Sequence, residues 1–105
     1  MKDVTLRQLR FLAATARSGS LAAAAEELHL TAPAIAQQLR RLEHTVGLPL
    51  LERGPGGQRA TEAGRTLVDT LTRIEAELLL GEDTLRSLRA ARTGRVGLGA
   101  VSTSK

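Results

Sequence analysis

The sequence has no cysteine and almost no aromatic residues, and each absence excludes certain kinds of structure or binding site. Without cysteine there is no disulfide framework and no thiolate metal site, which is consistent with a reducing cytoplasm. Phe11 is the one aromatic residue among 105, so binding of single-stranded nucleic acid by base stacking on aromatic side chains is nearly excluded. A core must be built from leucine, alanine and valine.

The chain also lacks an apolar run of membrane-spanning length and a signal peptide, so we expect no membrane association and a cytoplasmic location. Positive charge, in contrast, is plentiful. The 15 Lys and Arg residues outnumber the 11 Asp and Glu residues, for a net charge of +4. This balance favours a polyanionic partner.

The most informative stretch runs from Thr31 to Gly47. Its apolar residues recur at spacings of four, three and four, which places them on one stripe of a helix. Thr31 is suited to cap this helix and Gly47 to end it. The opposite face carries amide and guanidinium donors without an acid, as a helix entering a DNA major groove would, although many surface helices have a polar back. The stripe consists of Ile35, Leu39, Leu42 and Val46, and the opposite face of Pro33, Gln37, Arg40, Arg41 and His44.

A second predicted helix comes just before. Ser20 is its cap, and four consecutive alanines at positions 22–25 allow another helix to approach closely. His29 and Leu30 then form a short turn into Thr31. This order of a short helix, a turn and a basic helix predicts a helix-turn-helix DNA reader.

The flanking segments complete the predicted domain. A first helix runs from about Thr5 to Ser18 and ends at Gly19. Its predicted inner stripe is Leu6, Leu9, Ala13 and Ala16, widened by Phe11 and Leu12. After Gly47, apolar leucines at 48, 50 and 51 precede the glycine-rich run at 54–57, and Arg59-Ala60-Thr61 follows it. That pattern predicts a two-stranded hairpin, but a plain surface loop fits it about as well.

From Thr61 the pattern is helical again, and its apolar residues follow a heptad. The register is interrupted only at Gly81. So long a stripe needs a partner helix, which favours self-association, while packing against a missing second domain is the alternative. The alternating residues after Gly94 resemble a strand without a sheet to join, so we expect another domain to begin there. The predicted dimerisation residues are Leu67, Leu71, Ile74, Leu78, Leu85 and Leu88.

About ninety residues together resemble the DNA-binding domain and linker helix of a LysR-type transcriptional regulator. The resemblance rests on ordered blocks that cover nearly the whole predicted domain. They are LRQLRF at 6–11, Gly19-Ser20, AAEELHL at 24–30, Pro33-Ala34, LRRLE at 39–43, GLPLLER at 47–53 and TEAG at 61–64.

The resemblance implies a mainly α protein with a winged helix-turn-helix, made of three helices and a hairpin wing, followed by a long dimerising linker helix. The corresponding ranges are 1–61 for the DNA-binding domain, 62–93 for the linker and 94–105 for the start of an effector-binding domain. It further implies binding of double-stranded DNA by homodimers that often pair into homotetramers, with residues 32–46 in the major groove and the wing in the minor groove. A nucleoid-associated regulator whose missing domain binds a small-molecule effector is therefore expected.

The sequence departs from the family pattern where bases are read. Ala32 and Ala36 stand where relatives have glutamine and serine, so direct readout falls on Gln37 and on Arg53 in the wing. The expected base-contacting residues are Ala32, Pro33, Ala36, Gln37 and Arg53. The expected phosphate-contacting residues are Gln8, Ser20, Thr31, Arg41 and Thr61.

Other functions find little support in the sequence. His29 and His44 have no ligand partners at metal-binding spacing, and no nucleophile–base pair, carboxylate pair or phosphate-binding loop is recognisable. We therefore expect no enzyme, no catalytic or metal-binding residue and no cofactor in this segment. The alternative is a dimerisation module, held together by its long helix, that binds DNA only weakly and without specificity.

Overall fold

The computed structural model describes residues 1–93, which form four helices and one antiparallel hairpin. The order of elements confirms the expected fold class, with three helices, a two-stranded wing and a long helix. These elements are α1 (Leu6–Ser18), α2 (Leu21–Leu28), α3 (Ala32–Val46), β1 (Leu51–Gly54), β2 (Gly57–Ala60) and α4 (Glu62–Thr93). The strand expected after Gly94 lies outside the described residues.

The first three helices begin at the capping residues that the sequence predicts, and α1 and α3 end at the predicted glycines. The hydroxyl oxygens of Thr5, Ser20 and Thr31 each accept a hydrogen bond from a first-turn backbone N–H. Gly19 and Gly47 end α1 and α3 in the left-handed conformation, with φ of 86° and 83°. Short polar caps and glycine stops therefore fix these boundaries locally.

The core of the three-helix domain differs from the predicted one on α1. The inner face of that helix is centred on Leu12, and Gln8 and Thr15 are buried there, whereas Ala13 and Ala16 are only half-buried. Thr15 can be buried because its hydroxyl donates to the Phe11 carbonyl at 2.9 Å. The largest fully buried apolar side chains are Leu12, Ile35, Leu42 and Leu50.

The glycine-rich segment forms a hairpin rather than a plain loop. Leu51 pairs with Ala60 and Gly54 with Gly57, so a two-residue turn at 55–56 joins the strands. Gly57 has a φ of 111°, and a Cβ there would press on the carbonyl oxygen of Gly19. The hairpin is thus held close to the end of α1 by a residue that has to be glycine.

Two compact units divide the chain, and the first extends beyond the predicted boundary at 61. It comprises Met1–Leu71, and the second begins at Thr72. The first ten residues of α4 belong to the first unit, where Gly64, Leu67 and Leu71 are buried. Gly64 lies so close to the Leu50 carbonyl that an added Cβ would overlap it. The start of α4 is therefore part of the core of the first unit.

Candidate nucleic-acid interface

The turn between α2 and α3 brings the two helices together tightly. His29 ends α2 in the left-handed conformation, and its N–H bonds back to carbonyls of the last turn. Thr31 then starts α3 after a single intervening residue. Ala24 and Ala25 are buried beside this turn, where their small side chains permit the close approach. The result is a short helix that supports the outward-facing α3.

The outer face of α3 exposes hydrogen-bond donors. Gln37, Arg40, Arg41 and His44 are all exposed. The one carboxylate of the helix, that of Glu43, instead accepts from the backbone N–H of Leu50 at 2.7 Å. Among residues 1–93, neither Arg40 nor Arg41 forms an ion pair within the chain. This face therefore combines free positive charge with amide groups and carries no exposed acid.

A shallow polar depression adjoins that face. The start of α1 forms one side of it through Asp3, Thr5 and Gln8, and α3 forms the other through Gln37, Gln38 and Arg41, among others. A hydrogen bond of 3.2 Å from the Gln8 amide to Gln38 links the two sides. The first helix and the candidate recognition helix thus share one polar surface.

The hairpin presents Arg53 to solvent. Arg59 on the neighbouring strand is paired with Glu52 at 3.2 Å, whereas Arg53 has no ion-pair partner among the described residues. The Gln58 N–H donates to the Gly19 carbonyl at 2.8 Å and ties β2 to the end of α1. Since Gly19 directly precedes Ser20, the cap of α2, this bond holds the wing next to the start of the helix-turn-helix.

The exposed leucines of α4 form a separate feature. From Thr72 onward the helix has five leucines that are 48–63% exposed. Three of them belong to the predicted heptad stripe, and Leu79 and Leu80 lie outside it. The five are Leu78, Leu79, Leu80, Leu85 and Leu88. Ile74 is half-buried.

A family model for bacterial regulatory helix-turn-helix proteins of the lysR family matches residues 6–65. The chain belongs to the LysR family. This membership confirms the expected family and the expectation of a regulatory protein rather than an enzyme.

Relatives and solved structures of LysR proteins cover the same segment. The regulator CbbR of Rhizobium meliloti (strain 1021) is 41% identical over the whole chain, and CfxR of Cupriavidus necator is 40% identical. The chain spans about a third of the length of these relatives, 34% and 33%. In the crystal structure of the CbnR DBD–DNA complex, the matching chain is 39% identical, with a TM-score of 0.68 over 84% of this chain and 99% of that one. Full-length LysG from Corynebacterium glutamicum with bound effector Arg is 28% identical, with a TM-score of 0.76 over 84% of this chain and 30% of that one.

Two of the predicted phosphate-contacting residues of this LysR domain also have structural roles. Gln8 is only 6% exposed, and its amide accepts from the Thr5 N–H in the capping box of α1. The Thr61 hydroxyl donates to the Pro49 carbonyl at 2.7 Å and accepts from the Gly64 N–H at 3.0 Å. Both groups are thus bonded within the domain, and a contact of either with a phosphate stays a prediction. The other three predicted contacts, Ser20, Thr31 and Arg41, are half-buried, exposed and exposed, respectively.

Two predicted dimerisation residues also need correction. Leu67 and Leu71 are 8% and 4% exposed within a single chain, because they are part of the compact unit that ends at Leu71. Apolar surface that is already buried contributes nothing to a partner. A heptad register cannot distinguish a stripe that is buried within the chain from one that awaits another chain.

Three of the five predicted base-contacting residues are exposed. Gln37, Pro33 and Arg53 are exposed, and Ala32 and Ala36 are half-buried. Gln38 also lines the polar depression, but it is not among the DNA contacts that the sequence predicts. Its partner is thirty residues away in sequence, so no local pattern could have revealed the contact.

Within residues 1–93, no group of three or more His, Cys, Asp or Glu residues is arranged to hold a metal ion. No helix in that range is long and apolar enough to cross a membrane.

Proposed function

We propose that this chain is the DNA-binding part of a LysR-type transcriptional regulator that recognises double-stranded DNA in a sequence-specific way. The outer face of α3 is the observation that carries the proposal. It exposes amide and guanidinium donors, and the Glu43 carboxylate is turned inward onto Leu50. Such a face suits the acceptor-rich floor and the negatively charged edges of the major groove.

The predicted DNA-contacting residues have the following proposed roles. The Gln37 amide can pair with adenine N6 and N7, while Ala32, Pro33 and Ala36 offer apolar contact to a thymine methyl. Arg53 enters the neighbouring minor groove, where a narrow A·T-rich segment strengthens the negative potential. Ser20, Thr31 and Arg41 hold phosphates, which positions the domain without selecting a sequence.

The same proposal extends to assembly and regulation. Two chains pair through the exposed leucines of α4 into a homodimer, and dimers pair again into a homotetramer. The dimer surface comprises Leu78, Leu85 and Leu88, with Ile74 at its edge and Leu79 and Leu80 widening it. Residues 1–61 bind DNA, residues 62–93 form the linker helix, and an effector-binding domain begins at 94–105. Gly64, Leu67 and Leu71 of the linker also pack in the core of the DNA-binding part. A following domain binds a small-molecule effector, and the protein acts in the cytoplasm at the nucleoid.

Selection of duplexes from a random pool, followed by titration, tests this function. Wild-type protein should enrich a defined sequence and bind it at least about 1,000-fold more tightly than a scrambled duplex, with both affinities falling as salt rises. Equal affinity for the two duplexes would instead establish the alternative, a dimerisation module with residual charge.

Variants assign the two base readers in the same assay. Gln37→Ala should lower the ratio of specific to scrambled affinity by about 5- to 150-fold. Arg53→Ala should weaken sites with A·T-rich flanks more than sites with G·C-rich flanks. A uniform loss on all duplexes would reduce either residue to a general contact.

A further inference from the structure

A chain of three hydrogen bonds runs from the start of α1 into the polar depression. The Gln8 N–H donates to the Thr5 hydroxyl at 3.0 Å, and the Thr5 N–H donates to the Gln8 Oε1 at 3.1 Å. The Gln8 Nε2 in turn donates to the Gln38 Oε1 at 3.2 Å. Gln8 is nearly fully buried and Gln38 is half-buried, so both amides are held in place.

The direction of this chain is set by the backbone. A glutamine amide can ordinarily be turned over, because its oxygen and nitrogen have similar shapes. Here a backbone N–H, which can only donate, faces one side of the Gln8 amide, so that side has to be the oxygen. The Gln8 nitrogen must then face Gln38, and Gln38 must present its own oxygen to receive the bond. The N–H groups of Gln38 are left to face the depression.

We infer that Gln8 is a positioning residue that makes Gln38 a donor-only reader of DNA. The inference rests on the proposed function, because it assigns a role within the surface that faces DNA. Gln38 lines the depression together with Gln37 and Arg41, two of the proposed contacts. With its oxygen turned inward to Gln8, Gln38 presents its N–H groups to DNA and favours a base edge that accepts, namely guanine O6 and N7 or thymine O4.

Neighbouring Gln37 provides the contrast. It is exposed, and no described residue holds its amide. Gln37 can therefore offer both its oxygen and its nitrogen, as the paired donor and acceptor of adenine require. Two adjacent glutamines with the same chemistry thus read different base edges, because only one of them is oriented by α1.

Two isosteric substitutions should make residue 38 present an acceptor oxygen, instead of N–H donors, to the depression. In Gln8→Glu, the carboxylate still accepts from the Thr5 N–H but can no longer donate, so Gln38 must turn its nitrogen inward and its oxygen outward. In Gln38→Glu, the Gln8 bond is kept and the outward atom becomes an acceptor. Gln37→Glu is the comparison variant, since it adds the same charge one residue away and outside the chain of hydrogen bonds. Any change in preference that it causes should fall at the base pair that Gln37 reads, not at the pair read by Gln38.

The measurement is duplex selection with each variant at about pH 8, where a buried carboxylate is more fully ionised. Gln8→Glu and Gln38→Glu should change preference at the same base pair, from guanine or thymine to a base with an exocyclic amine, cytosine or adenine, by about fivefold or more. The added charge weakens binding to all duplexes, so its effect cancels in the ratio of affinities for two duplexes that differ at this base pair. Gln8→Met, which cannot orient Gln38, should leave that pair poorly discriminated.

The outcomes separate this inference from the proposed function. If wild-type protein enriches no sequence, the proposed function fails. If it enriches one but Gln8→Glu retains the same preference at every pair, Gln8 does not orient Gln38 and the inference is overturned. A uniform loss with Gln38→Glu, without a changed base preference, also overturns it by placing Gln38 on a phosphate. Melting followed by circular dichroism verifies that Gln8→Glu is folded, as its Thr-x-x-Glu capping box predicts.

Discussion

The two compact units of this chain treat their apolar residues in opposite ways. In the unit that ends at Leu71, leucines such as Leu12, Leu42 and Leu50 are almost completely buried. In the segment from Thr72 to Thr93, five leucines are about half exposed or more. Both regions contain regular helix, so helix formation does not explain the difference. One region buries its apolar surface by itself, whereas the other displays it.

This contrast indicates a division of labour within one helix. The first ten residues of α4 complete the core of the DNA-binding domain, and the remainder leaves its leucines exposed, where we propose that a second chain packs. Each fully buried aliphatic side chain contributes about 1.5–3 kcal/mol, so the displayed leucines represent a large potential gain on pairing. We expect equivalent substitutions in the two regions to have different consequences, and three matched pairs test that expectation.

The largest difference should come from aspartate at two leucines of α4. Leu71→Asp buries a charge in the core and should abolish folding of the DNA-binding domain. Leu78→Asp, seven residues later, should leave that domain folded but weaken dimerisation. Circular dichroism reports folding, because the chain has no tryptophan or tyrosine for fluorescence, and sedimentation reports the oligomeric state.

The DNA affinity of the Leu78→Asp variant sharpens the same comparison. Loss of bivalent binding should reduce operator affinity by about 10²- to 10⁴-fold. A Leu78→Asp protein that stays dimeric would place the interface elsewhere, and a well-folded Leu71→Asp protein would remove Leu71 from the core.

A smaller difference is expected for the two glycines within α4. Gly64→Ala adds a Cβ that would overlap the Leu50 carbonyl, so the backbone must shift at a cost of about 3 kcal/mol or more. Gly81→Ala meets no atom within 4 Å and should stabilise the helix by about 0.5–1 kcal/mol. Chemical denaturation of both variants gives the two free energies. Equal effects would show that the two parts of α4 have similar surroundings.

The smallest difference in stability is expected between substitutions of two carboxylates. Glu43→Ala leaves the buried Leu50 N–H without its acceptor and should cost about 1–3 kcal/mol. Asp83→Ala breaks an exposed pair with Arg86 and should change stability by less than about 0.5 kcal/mol. Glu43→Gln, which keeps an acceptor oxygen, is the control for loss of the hydrogen bond rather than of charge. If Glu43→Gln is as unstable as Glu43→Ala, the carboxylate contributes mainly through its charge.

Local signals made much of the fold predictable. Thr5, Ser20 and Thr31 were recognisable as caps because a short hydroxyl before an apolar periodic run has few other uses. Gly19 and Gly47 were recognisable as helix ends for the same local reason. The hairpin was less certain, since its strands are four residues long and glycine-rich turns also occur in loops. It became definite through the bond from Gln58 to Gly19, a contact across 39 residues of chain.

By itself, the sequence determined the helices, their caps, the basic character of α3 and the family, because each follows from residues near one another along the chain. Only the tertiary structure decided which polar groups remain free for a ligand. Gln8 and Thr61 carry suitable chemistry but use it inside the domain, and Leu67 and Leu71 follow the heptad but are buried beside their own core. A donor hydrogen or an apolar surface that is engaged within the fold is not available to a partner, and what engages it depends on residues distant in sequence.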